Sequence, residues 1–222
     1  GGVEIGSAGL KGGSDDIRET HFTLRADGWL SLDDFRNQDF GIRLTSVGPE
    51  GGHRGGSEKG GATVEICGTV PPDDGGDDDT GGGGGTGGGG GDDTGGGGAK
   101  CSFVISAGAV DVRVTLTEDG GAVKVALEVL TTGGEIGDLR GLFFDVADEG
   151  KLASMTVEGA DVTDAAFHAN GVDDLGNGAN VTGHVVSAFG KFDGGVEIGS
   201  AGLKGGSDDI RETHFTLRAD GG

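Results

Sequence analysis

Apolar and polar residues alternate along most of this chain outside its glycine-rich middle. In VDVRVTLT, Val110, Val112, Val114 and Leu116 share one face, and in VKVALEV so do Val123, Val125, Leu127 and Val129. A two-residue period marks a half-buried strand. EDGG at 118–121 supplies the glycines that a tight two-residue turn needs, so the pair predicts a β-hairpin. Further short strands are predicted at FGIRLTSV (40–47), ATVEIC (62–67), CSFVIS (101–106), GLFFDV (141–146), ASMTVE (153–158) and NVTGHVV (180–186). HFTLR predicts another, at 21–25 and again at 214–218. Helix is scarce. SLDDFRNQ (31–38) opens with a capping serine, Ser31, three residues before Asp34, and predicts one or two turns; SDDIRE (14–19 and 207–212) predicts a similar turn. Many short strands with polar outer faces predict an all-β, antiparallel β-sandwich of jelly-roll type, with short helical turns at most.

The repeat matters more than any single strand. GGVEIGSAGLKGGSDDIRETHFTLRADG occupies 1–28 and returns unchanged at 194–221, a period of 193 residues. Neither junction carries a linker: the first copy runs straight into Trp29, and the second follows Asp193 directly. The order of parts therefore reads as a window on a periodic chain. Residues 1–67 are the C-terminal part of a sandwich unit, 68–100 a Gly/Asp-rich linker, and 101–222 the N-terminal and middle parts. Residues 29–67 are expected to pair either with 101–193 of the same chain or with another subunit. One sandwich offers one slot for HFTLR. Two candidate assembly strands compete for it: His21, Phe22, Thr23, Leu24 and Arg25, and their duplicates His214, Phe215, Thr216, Leu217 and Arg218. The spare copy is expected to complete a neighbour, and an open contact of that kind builds a fibre.

Composition narrows the partners. The segment 71–98 has no apolar side chain to offset the entropy of ordering glycine, and its aspartates repel one another, so it reads as an extended spacer. Acidic residues outnumber basic ones 38 to 16, for a net charge of −22, which makes nucleic acid an unfavourable partner and favours cation-rich surroundings. No apolar run reaches the roughly eighteen residues needed to span a bilayer, so membrane insertion is not expected. No basic and apolar leader opens the sequence, and any secretion signal is expected to lie outside it. Cys67 and Cys101 bracket the spacer. A disulfide there would clamp its neck and implies an oxidising compartment; two separate buried thiols are the alternative.

Candidate chemistry is sparse. GVDDLGNGAN gathers Asp173, Asp174, Asn177 and Asn180 in a glycine-rich turn, where oxygen ligands suit calcium; Asp208 and Asp209, or Asp15 and Asp16 in the first copy, form a second candidate. Such turns also need no metal, because Asx side chains bond local amides. Asn180-Val181-Thr182 matches a glycosylation sequon. His168, His184 and the His21/His214 pair have acidic neighbours in sequence such as Asp145, Asp161 and Asp164, but no motif of a hydrolase, metalloprotease or phosphate loop occurs, so no catalysis is expected. Trp29, the single tryptophan, is expected in the core.

The segments GDLRGLFFDVADEGKLASMTVEGADVTDAAFHANGVDDLGNGANV (137–181), FDGGVEIGS and DDIRETHFTLRADGWLSLDDFRNQDFGIRLTSVG together resemble a repeat module of large secreted bacterial proteins that also carry haemolysin-type calcium-binding and cadherin-like repeats. The resemblance covers roughly 110–221 plus 29–48, and the glycine-rich calcium nonapeptide of the haemolysin type is absent; LRGLFFDVADEGKLASMTVEGADVT (139–163) is also similar in style to cohesin-like and carbohydrate-binding sandwiches. It implies an extracellular or cell-surface location. The expectation is a structural subunit of a secreted fibre, matrix or adhesin that binds copies of itself as a homopolymer. The alternative is a monomeric, calcium-dependent carbohydrate-binding or adhesion module with a glycan as partner.

Overall fold

A computed structural model describes residues 29–64, 98–131, 133–199 and 209–219. The strands are β1 (Asp39–Pro49), β2 (Gly56–Thr63), β3 (Lys100–Ala107), β4 (Val110–Asp119), β5 (Ala122–Leu130), β6 (Glu135–Phe144), β7 (Met155–Glu158), β8 (Val162–Val172), β9 (Phe192–Ile198) and β10 (Glu212–Ala219). One short helix, α1 (His184–Phe189), and two 3-10 turns accompany them. The strands form two five-stranded antiparallel sheets, ordered β2-β1-β6-β9-β8 and β3-β4-β5-β10-β7. The fold is an all-β sandwich. β1 pairs with β6 of the same chain.

The predicted hairpin is present as β4 and β5, with Asp119 opposite Ala122. Gly120 and Gly121 turn it with φ of 57° and 86°, the left-handed pair that matches the twist of a two-residue hairpin. All eight of its predicted inward residues are buried. Ser31 caps a 3-10 turn (Leu32–Phe35), its amide donating to the Asp34 carboxylate at 2.8 Å. This turn drops Phe35 into the core beside Phe40 and Phe144, while Phe40 of one sheet meets Phe103 of the other with ring centroids 4.8 Å apart.

Three expectations are corrected. NVTGHVV is not a strand: Gly183, with φ of 93°, breaks the extended path, and α1 follows it. Val181 and Val185 instead join Phe143, Val172 and Phe192 in a second apolar cluster. SDDIRE makes no helical turn over its described part, because the Ile210 amide bonds the Asp138 carboxylate at 2.9 Å and Glu212 already begins β10. Trp29 is 55% exposed; its ring lies against Gly121 at the hairpin turn, and Leu30 takes the buried position instead.

Candidate assembly site

The second copy of the duplicated segment supplies a strand to each sheet. Its start, 194–198, is most of β9, and its end, 212–219, is β10. Neither is an edge. β9 lies between β6 and β8, and β10 between β5 and β7. Every residue of β9 is buried, so apolar alternation gives no sign of it. On β10, Phe215 and Leu217 point inward while His214 and Arg218 are exposed, as HFTLR predicts. Burial of a side chain such as Phe215 or Leu217 contributes roughly 1.5–3 kcal/mol.

Polar groups fix the segment's register. Arg140 of β6, itself buried, donates to the Glu197 carboxylate at 2.9 Å and to the Ile198 carbonyl at 2.6 Å. Thr213 donates to Asp161 at 2.8 Å. Between the strands, the Ile210 carbonyl accepts from Leu139 of β6 at 2.9 Å and the Arg211 carbonyl from Val129 of β5 at 2.8 Å, so this crossing is tied to both sheets. Asp209 forms a buried ion pair with Arg54. Close packing adds a size limit. A side chain at position 194 would meet the Phe144 ring at 2.6 Å, and one at 195 would meet Val172 at 2.8 Å, so both positions demand glycine.

Just before the duplicated part, Asp193 is held from three directions. Its carboxylate accepts from the Asn170 amide at 2.7 Å and the Val146 amide at 3.1 Å, and its own amide donates to Asp145 at 3.0 Å. Burial, followed by the neighbouring Asp193 charge, pushes the Asp145 carboxyl up to about 7. Burial also raises the Asp138 carboxyl, against the bonds from Ile210 and Thr45.

The calcium candidates are engaged with protein groups. Asp173 pairs with Lys191 at 2.9 Å, Asp174 accepts from the Gly176 amide at 2.8 Å, and Asn180 accepts from Lys59 at 2.6 Å. Asn177 takes a left-handed turn position, and its carbonyl accepts from Arg140 at 3.2 Å. Among the described residues, no group of three or more His, Cys, Asp and Glu side chains gathers as a metal cage. His21 to Arg25, Asp15, Asp16, Asp208 and Cys67 lie outside the described residues. Cys101 is buried on β3 and is not a free thiol. The histidines are dispersed: His168 is exposed on β8, His214 on β10 in the other sheet, and His184 bonds the Lys59 carbonyl at 3.0 Å. Among the described residues no helix is long and apolar enough to cross a membrane.

No family model, curated protein or solved structure matches this chain. The resemblance to a secreted repeat module rests on the quoted segments alone. Sequence reading named HFTLR as the assembly strand and missed β9, Arg140 and Glu197. The signal was present, since the identity between the copies includes GGVEI as well as HFTLR.

Proposed function

We propose that this chain is a structural unit of a secreted fibre, matrix or adhesin, in which successive sandwiches are joined by donated copies of the duplicated segment. The observation that carries this reading is the interior position of β9 and β10: a segment that inserts into both sheets makes a far stronger joint than one added to an edge. The chain carries two such segments for one slot, so one remains to enter a neighbour. The glycine-rich spacer gives reach between units, and the net charge of −22 keeps an extended array soluble. Exchange between chains competes with self-filling, whose effective concentration is of millimolar order for a short tether, so joints form best in a tandem array or on refolding at high concentration. Refolding the chain over a range of concentrations, followed by sedimentation and negative-stain imaging, tests this. A ladder of oligomers or filaments supports it; a monomer at every concentration overturns it.

A further inference from the structure

The slot filled by the second copy lies within reach of the first copy on the same molecule. Leu30, two residues past the end of copy one, donates its amide to the Gly121 carbonyl at 3.0 Å, and Trp29 rests on Gly121. β10 finishes at the same place, with Arg218 paired to Ala122 and Ala219 one residue further on. Ala26 stands in the first copy where Ala219 stands in the second. Four residue steps separate Ala26 from Leu30, and an extended chain spans at most roughly 3.3–3.6 Å per residue, about 13 Å here. That covers the gap between two points flanking residues 121 and 122.

The other junction is equally permissive. Phe192 and Asp193, which begin β9, are not duplicated, and Asp193 is held by Asn170, Val146 and Asp145. Gly194 stays bonded to Asp193 in any frame, so copy one would enter from the next position, where 195 demands glycine and Gly2 supplies it. Glu4 is available to Arg140 in place of Glu197, and Phe22 to the core in place of Phe215.

We propose that residues 1–28 fill this slot from the opposite end of their own chain, so that one molecule folds in two mutually exclusive frames, releasing 194–222 in one and 1–28 in the other. The buried side chains are identical in both, so the balance is set only by the two junctions. Two central strands must leave before the other copy enters, so exchange proceeds through a largely opened sandwich and is slow. The frames alternate in an isolated chain and do not depend on assembly.

The full chain with Val196→Asp, with Val3→Asp and with both tests this. Thermal unfolding followed by circular dichroism reads the fold, light scattering the mass, and limited proteolysis with mass spectrometry the protected segment. Each single variant is expected to fold as a monomer with little change in melting temperature, protection moving from 194–219 to 1–26 in Val196→Asp; the double variant is expected to lose its cooperative transition. The paired variants Phe215→Asp and Phe22→Asp repeat the test in the other sheet. Unfolding of Val196→Asp alone, or a folded double variant, overturns the proposal. Folding of Val196→Asp only as an oligomer also overturns it, while supporting exchange between chains.

Discussion

Arg140 and Glu197 form an ion pair of 2.9 Å between β6 and β9, with side chains only 1% and 3% exposed. One partner belongs to the unduplicated body of the sandwich and the other to the duplicated segment. Removing the carboxylate strands a buried guanidinium, and breaking such a pair typically costs about 3–5 kcal/mol. In a chain of residues 29–222, Glu197→Ala is expected to lose that much in urea unfolding. In the full chain the loss shrinks well below it, because Glu4 can enter with the other copy. Equal losses in the two chains contradict the interchange.

Asp145 links stability to pH. Its carboxyl titrates at about 7 in the fold, against about 4 for an ordinary aspartate. Between those values the folded state holds a proton that the unfolded chain has released. The stabilisation is therefore complete below about pH 4 and is lost as pH rises through about 7. Melting temperature is expected to fall from pH 5 to pH 8, and Asp145→Asn to flatten that fall, standing above the unsubstituted chain at pH 8. A substitution that leaves the slope unchanged removes Asp145 as its source.

The two cysteines are expected to form one bridge across the spacer. Cys101 is buried and not free, and Cys67 is the chain's other cysteine. Thiol titration in denaturant without reductant is expected to find no free thiol. Closing a loop of this length contributes about 4 kcal/mol by chain entropy, so reduction should lower the urea midpoint visibly. Two reactive thiols in the oxidised preparation contradict the bridge.

The legible parts of the fold are those where one face is wet. The β4–β5 hairpin alternates because its outer residues, such as Arg113, Lys124 and Glu128, meet solvent. β9 carries no such pattern, since the segment containing Val181 and Val185 covers Phe192 and Phe143 on its outer side. Its glycine pair argues against a strand by propensity, yet those glycines are there because Phe144 and Val172 leave no room for a side chain. β8 escapes notice for the opposite reason: it is a largely exposed edge strand whose apolar residues, three of them alanine, do not alternate with polar ones. NVTGHVV has the composition of a strand, but Gly183 turns it into α1. The repeat by itself marks which segment matters, but identity along the chain does not tell an edge position from a central one.

One experiment addresses the central claim most directly: a chain of residues 29–193, lacking both copies, mixed with a synthetic peptide of residues 1–28, whose sequence is also that of 194–221. Without peptide, both sheets lack an interior strand, and no cooperative unfolding transition is expected. With peptide, β-sheet circular dichroism and a cooperative melt should appear and saturate at one peptide per chain. A chain that folds without the peptide, or that stays unfolded in its excess, contradicts the claim that the duplicated segment is an interchangeable interior part of this sandwich.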